Sequence, residues 1–369
     1  MKSVKKVVLS SVAVGLLISQ LQGIEVYKDE EKKTSIDVYG SIRAYVGEGT
    51  NLGNGVAGSF DSHFIMGLQT SSRLGVTAKI GNISAAVEFG AGEPTFASGN
   101  TVPGLRQLWG QYNFGKAGKI LIGKKDTQSL AKGFSSDIFD NDNGATGFGS
   151  MRTSNRQFQI EYTLGNLAVG LIKDSLSYDV SGAKYGLIPR IAASYGGKIG
   201  GSEYKVAGSI KIIQGGENGF RNWAFGGHLM GGYKMHLMDK KLYISAQVHG
   251  GVNGNTYGEQ RINRNTGGYN FANSQISISG SNVVIVGALA EAGYKLGSLG
   301  TLIGAVGYQF ASVSDLNRTF NSFSVMAQLP MKFGKFTLTP QVSYYGTGAT
   351  RTQDSGNGLM AFVQARFDF

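Results

Sequence analysis

The chain has 369 residues, with 57 glycines, 5 prolines and no cysteine, and it carries a net charge of +11 although only 16% of its residues are charged. The absence of cysteine excludes disulfide bonds and thiol chemistry, and the length allows either two domains or one large β-barrel.

Residues 1–23 have the three parts of a secretory signal. Three lysines precede an apolar run over residues 7–18, and small or neutral residues follow as far as Gly23. The run is shorter than the roughly 20 residues of a spanning helix, so a signal peptide cleaved after Gly23 is favoured over a transmembrane anchor. Its removal takes away three lysines and leaves a net charge of about +8. A short charged segment, residues 24–34, follows.

The rest of the chain, residues 35–369, repeats a period-two pattern that is typical of strands with one apolar face. The first of these segments is SIDVYGSIRAYV, and the last is LMAFVQARFDF, which ends on Phe369. We predict sixteen strands, at residues 35–46, 63–80, 83–90, 105–114, 119–125, 152–164, 166–173, 187–197, 204–213, 223–236, 242–249, 282–296, 301–311, 320–333, 336–345 and 358–369.

The connections between these strands alternate strictly between short and long. Seven are tight, such as Gly81-Asn82 and Gly165-Asn166, and the eight between them include about thirty residues around 250–281. Nothing after residue 23 is long enough for a spanning helix, and only a closed barrel pairs every backbone group of a spanning sheet. The alternation therefore predicts an all-β fold: a transmembrane, antiparallel, up-and-down barrel with short periplasmic turns and long external loops.

The face opposite the apolar one collects Gln, Ser, Thr, Lys and Arg, which predicts a wet lumen, because a ring of sixteen strands is wide enough for a channel. Parity places the following charged residues in that lumen: Arg43, Arg73, Lys79, Lys205, Lys211, Lys234 and Arg366, against Asp37, Glu88, Glu161 and Asp368.

Four segments and the last residue resemble the general porins of Gram-negative bacteria. SIDVYGSIRAYV resembles the opening strand of that family, and SSRLGVTAKIG (71–81) resembles its second strand. LRQLWGQYNFGKAGKILIGKKDT (105–127) resembles the hairpin that leads into the third loop, with Lys124 where the family has Arg, and MRTSNRQFQIEY (151–162) resembles the strand that leaves the loop. The final Phe369 resembles the assembly signal of the family.

The resemblance implies a homotrimer in which each subunit has its own pore, narrowed by a third loop that folds inward. That loop corresponds to residues 126–151, and its acidic cluster would be Asp137, Asp140 and Asp142. The facing basic wall would be Arg73 and Lys124, with Arg152 or Arg43 as a third member. Strand parity, however, puts Lys124 on the same face as Ile120 and Ile122, so Lys125 is the alternative inward residue. A solvated loop rich in turns is the other reading of the aspartates.

The predicted function is passive diffusion of small hydrophilic solutes and ions through a charged constriction, with a preference for anions because the lumen is basic. A solute-specific channel, for phosphate or another oxyanion, is the alternative. An outer-membrane enzyme is a third hypothesis, and it lacks a recognisable nucleophile motif near any of the four histidines, His63, His228, His236 and His249. We expect contacts with lipid and lipopolysaccharide, and we predict no cofactor, no metal site and no nucleic-acid partner.

Overall fold

A computed structural model describes residues 23–51, 61–69, 71–90, 104–130, 133–135, 147–151, 155–173, 188–215, 222–260, 262–263, 273–274, 282–313, 318–349 and 356–369. None of the helices in these ranges is long and apolar enough to cross a membrane.

The described residues form one antiparallel sheet of 19 strands that closes on itself, and a separate two-stranded sheet. The closed sheet contains β1 (Ile24–Asp29), β2 (Thr34–Asn51), β3 (Asp61–Leu68), β4 (Arg73–Ile80), β5 (Ile83–Gly90), β6 (Gly104–Asn113), β7 (Lys119–Asp126), β8 (Arg156–Leu164), β9 (Leu167–Lys173), β10 (Arg190–Ile199), β11 (Ser202–Gly215), β12 (Asn222–Leu237), β13 (Leu242–Val252), β16 (Val283–Lys295), β17 (Thr301–Val313), β18 (Arg318–Gln328), β19 (Met331–Phe333), β20 (Phe336–Ala349) and β21 (Gly356–Asp368). The small sheet is β14 (Ile262–Asn263) with β15 (Asn273–Ser274), and two 3₁₀ helices span Gly115–Ala117 and Gly254–Tyr257.

Sixteen strands of the closed sheet form the barrel, as predicted, and β1 is an additional strand on the edge of β2. β3 and β4 both pair with β2 and are two parts of one strand, and β18 and β19 both pair with β20 and are two parts of another. The second break falls at Pro330, which has no N–H to give to the sheet. The predicted alternation of connections is confirmed as well, and the turns at Gly81 and Gly165 use a φ of 56°, which glycine adopts without strain.

The barrel closes where β2 pairs with β21. Ser41 lies opposite Asp368 and Asn51 opposite Gly358, so the two strands are in register over this whole stretch. Beyond it, the N–H of Gly40 donates to the carbonyl of Phe369 at 2.8 Å, and the N–H of Phe369 donates back at 3.1 Å.

The charged segment 24–34 contains a strand that the sequence did not indicate. β1 and β2 form a hairpin in which Ile24 lies opposite Val38. This pairing occupies the edge of β2 just below the point where β21 ends, so the hairpin continues the closing seam toward the rim of short turns.

The outer face of the barrel is apolar, as predicted. Ile42 is 52% exposed and Leu229 is 63% exposed, whereas Arg43, the chain neighbour of Ile42, is buried on the inner face. An apolar outer belt of this kind suits lipid.

The inner face is less uniformly polar than the sequence predicted. Two apolar clusters line it on the side formed by β16–β21. One contains Leu289, Ala305, Met326, Tyr345, Met360 and Phe362, together with Phe148 of the third loop, and the other contains Val283, Ile285, Ala311, Val313 and Phe320. These side chains are buried because loops cover part of the wall, which the strand pattern alone does not reveal.

Candidate pore constriction

Glu88 is the centre of a basic cluster on the inner wall. Arg106 Nε lies 2.8 Å from one carboxylate oxygen, and Arg73 Nε lies 3.6 Å from the other. The hydroxyl of Tyr39 donates to the second oxygen at 3.0 Å. Glu88 is only 3% exposed, so its carboxylate is held in one position by charge-assisted contacts.

Two further arginines lie close to this group. Arg43, Arg106 and Arg156 are all near enough to Arg73 to act on its charge. Arg156 is itself 3.6 Å from the carboxylate of Asp126. The wall formed by β2–β8 therefore concentrates four guanidinium groups around two carboxylates.

The structure distinguishes the two lysines that the sequence left open. Lys125 places its ammonium 5.1 Å from the ring centroid of Trp109, within the barrel. Lys124 lies opposite Leu108 and Phe158, both exposed on the outer face, so the family position at Lys124 does not point into the lumen here. The resemblance had pointed to Lys124 and strand parity to Lys125, and the sequence left the choice between them open. With Lys125, the basic wall has five cations against two carboxylates.

The other predicted lumen charges are dispersed. Lys79 is exposed near the rim of short turns, whereas Lys211 is buried. Lys205 donates to the carbonyl of Leu130 at 2.7 Å and so holds the third loop. Glu161 accepts a hydrogen bond from the hydroxyl of Thr163 at 3.1 Å, low on the wall. These residues do not join the cluster around Glu88.

The predicted acidic side of the constriction, Asp137, Asp140 and Asp142, lies outside the described residues, and so does Arg152.

The described parts of the third loop (127–155) run along the inner wall away from the basic cluster. On the outward leg, the carbonyl of Phe134 accepts a hydrogen bond from Ser245 on β13 at 2.6 Å. On the return leg, the N–H of Phe148 donates to Ser324 on β18 at 2.9 Å, and Met151 packs against Met230 of β12. The predicted inward fold of this loop is therefore present in its described parts, which cover the wall from β12 to β18.

A second inward element was not predicted. Residues 253–260, called here the inner segment of the sixth loop, are almost completely buried inside the barrel. The side-chain amide of Asn155 donates to the carbonyl of Tyr257 at 3.0 Å, and Gln260 Nε2 lies 3.0 Å from His249 Nδ1. The inner segment thus touches both the third loop and the barrel wall.

Glu259 joins these elements in one buried network. Its carboxylate lies 2.8 Å from Arg190 and 3.4 Å from His228, and it accepts hydrogen bonds of 2.5 Å from the hydroxyls of Thr127 and Ser129. Arg190 and Glu259 have no exposed surface. Burial alone would raise the pKa of the Glu259 carboxyl, but the charge of Arg190, the neighbouring His228 and the hydrogen bonds lower this pKa to about 2.

Ser209, His228 and Glu259 form a line that resembles a nucleophile, a base and an orienting acid. Ser209 Oγ lies 3.1 Å from His228 Nδ1. The same hydroxyl, however, accepts a hydrogen bond from Arg190 at 3.1 Å, and Tyr257 lies 2.9 Å from that imidazole nitrogen. All five side chains are buried, so within the described residues the Ser209 hydroxyl is not open to solvent and is fully engaged with Arg190 and His228.

The sequence analysis did not single out Arg106, Arg156, Arg190 or Glu259. The inward position of Arg106 was missed because the register between β5 and β6 shifts beside Glu88, so counting alternate residues assigns the wrong face there. Arg190 begins a strand, where parity is weakest. Glu259 carried one usable signal, since it is the sole acidic residue between 250 and 281.

Solved structures with the same fold include a channel, a porin and another protein of bacterial outer membranes. The outer membrane channel DcaP of Acinetobacter baumannii superposes with a TM-score of 0.68 at 15% identity, over 93% of this chain and 99% of that one. The anion-selective porin from Comamonas acidovorans gives a TM-score of 0.57 at 14% identity, over 91% and 100% of the two chains. OmpT of Vibrio cholerae, in a trimer form, gives 0.53 at 14% identity, over 91% and 99%.

A scan against models of protein families finds no match, and a search of curated protein sequences finds none either. The structural likeness covers nearly the whole chain and establishes the porin barrel as the fold.

Proposed function

We propose that this protein is an outer-membrane channel for the passive diffusion of small hydrophilic solutes and ions, and that it prefers anions. The single observation that carries the anion preference is the basic wall, where Arg43, Arg73, Arg106, Arg156 and Lys125 outnumber Glu88 and Asp126. A low-dielectric wall focuses the field of such charges across a narrow wet gap, so anions gain and cations lose.

The barrel supports a location in the outer membrane of a Gram-negative bacterium, because its apolar belt must face lipid and its two rims must face water. The signal peptide over residues 1–23 would direct export to that site. Self-association, as the trimer form of the Vibrio cholerae protein suggests, is part of the proposal. In the proposed constriction, the loop aspartates Asp137, Asp140 and Asp142 face the basic wall.

A solute-specific channel for an oxyanion is the second candidate, and one observation favours it. Polar side chains that point inward, such as Gln159 and Ser343, have no exposed surface although they line a barrel of sixteen strands. The inward loops therefore leave much less free lumen than an open ring of this size would have.

The test is the reversal potential of the purified full chain in planar bilayers under a potassium chloride gradient. The proposal predicts a chloride-selective sign, and a cation-selective pore would contradict the anion preference. Block by micromolar phosphate would favour the specific channel. Lipid hydrolysis by the same preparation would instead support an outer-membrane enzyme.

A further inference from the structure

We propose that the inner segment of the sixth loop is a second wall of the constriction, and that Glu259 is a positioning residue that sets where the third loop lies. The inference rests on the proposed channel function, because it concerns the width of the path that the loops leave. Glu259 touches no solute in this account. It acts through the third loop.

Glu259 connects three parts of the chain. Through Thr127 and Ser129, Glu259 holds the outward leg of the third loop just after that leg leaves β7. Through Arg190 and His228, the same carboxylate is fixed to β10 and β12. One side chain therefore joins the third loop, the sixth loop and the barrel wall.

The contacts that Glu259 makes with the third loop and the wall are specific. The hydroxyls of Thr127 and Ser129 donate to the two different oxygens of the Glu259 carboxylate. Arg190 also donates to the Ser129 hydroxyl at 3.2 Å. A guanidinium and a carboxylate without solvent contact are costly unless each is paired, so loss of either partner displaces the other. The third loop is held by this requirement and not by apolar packing alone.

The inner segment of the sixth loop also contacts the return leg of the third loop. Gln260 is bonded to His249, whose imidazole lies beside Gly287 together with the carbonyl oxygen of Gly149 on the return leg. Asn155, at the end of the return leg, bonds to the carbonyl of Tyr257. Both legs of the third loop are thus braced by residues 253–260, so moving this segment moves the loop.

The experiment compares single-channel conductance and reversal potential of the full chain with those of two variants in planar bilayers. Glu259→Gln removes the charge that Arg190 needs. The double change Thr127→Ala with Ser129→Ala keeps every charge and removes the two bonds between Glu259 and the third loop, together with the bond from Arg190 to the Ser129 hydroxyl. Glu203→Gln is the matched control, because Glu203 forms a partly exposed pair with Lys198 on a short turn, at 3.2 Å.

We expect the conductance of Glu259→Gln to rise roughly twofold with more open-channel noise, the hydroxyl double variant to shift in the same direction by less, and Glu203→Gln to match the parent. Parental conductance in Glu259→Gln and in the hydroxyl variant would overturn the inference. So would a change in selectivity without a change in conductance, because the charge would then act directly on ions. Should Glu259→Gln fail to assemble, the hydroxyl variant decides alone.

The two proposals fail separately. A parent chain that forms no channel, or a cation-selective one, contradicts the proposed function or its anion preference, whatever the variants do. A chloride-selective parent with variants of unchanged conductance contradicts the positioning role and leaves the channel function in place.

Discussion

Glu259 and Arg190 form a 2.8 Å ion pair in which neither side chain has any surface exposed to water. Glu259 comes from the long loop after β13, and Arg190 opens β10. A pair of this kind gives little net stability, since desolvation offsets most of the attraction. Removing one partner is nevertheless strongly destabilising, because the other is left as an unpaired buried charge. Its use here is to fix the relative position of chain segments that share no strand pairing.

The pair should make the constriction insensitive to pH down to strongly acidic conditions. The pKa of Glu259 is lowered to about 2 from an ordinary value of 4.5, so its contribution to stability is complete above pH 4.5 and is lost as the pH falls through 2. Conductance of the parent channel should therefore be constant from pH 8 to about pH 4 and become noisy below about pH 3. A transition centred near pH 4.5 would show that Arg190 does not hold this carboxyl ionised.

Neutralising Arg73 and Arg106 together should weaken the anion preference. The two guanidiniums supply much of the positive excess on the basic wall, so the chloride-to-potassium permeability ratio should fall by roughly threefold in a salt gradient. Lys124→Gln provides the control, since its side chain lies on the outer face. An equal effect of Lys124→Gln would mean that selectivity follows the total charge of the protein and not the inner wall.

Glu88→Gln should destabilise the barrel and strengthen the anion preference at the same time. The change leaves Arg73 and Arg106 without their carboxylate, at a cost on the order of 3 kcal/mol for removing one partner of a buried pair. Urea unfolding in detergent micelles measures the stability, and the reversal potential measures the selectivity. If the variant is as stable as the parent, water in the lumen already screens these guanidiniums.

Phe148→Ala should release the far end of the third loop. Phe148 packs against the inner-face cluster that includes Tyr345, with ring centroids 5.1 Å apart, and truncation of a buried aromatic ring costs about 3 kcal/mol. We expect a higher and noisier conductance with a barrel that still assembles. Phe333→Ala, on the exposed outer face, is the control and should leave conductance unchanged.

Gly47→Ala should impair closure of the barrel. A Cβ at Gly47 would clash with the carbonyl oxygen of Ala361 and with Cα of Phe362, both backbone atoms of the facing strand β21. Overpacking of this kind costs about 1 to 3 kcal/mol, so a smaller fraction of the protein should show the heat-modifiable mobility of folded barrels. Gly304→Ala, which meets no atom within 4 Å, should fold like the parent. Equal folding of both variants would show that the seam can widen without cost.

The strands were predictable because their pattern is a direct consequence of the solvent on each side. Ile42 and Arg43 differ in polarity because the side chain of Ile42 faces the apolar surroundings and that of Arg43 faces the lumen. This contrast between chain neighbours is visible in the sequence. The hairpin strand β1 was missed because its side chains are mostly exposed and carry no such contrast. The division of the second predicted strand into β3 and β4 was missed because its parity continues across the break.

The site was predictable only where it follows strand parity. Arg43, Arg73 and Lys125 face inward as alternate residues of β2, β4 and β7, although the sequence left Lys124 and Lys125 as alternatives. Glu259 could not be placed in the same way. A loop residue has no period, and its partner Arg190 is identified only when the barrel has closed and brings the sixth loop over β10.

The described parts of the two inward loops lie mainly against β10–β18, whereas Arg43, Arg73, Arg106 and Arg156 lie on β2–β8. In the proposed channel, a solute would therefore pass off-centre, beside β2–β8. The arginines that select ions by charge and the loops that limit the pore width then lie mostly on different strands. The charge preference and the width of the pore could accordingly be altered one at a time, by redesigning one side of the barrel and leaving the other side unchanged.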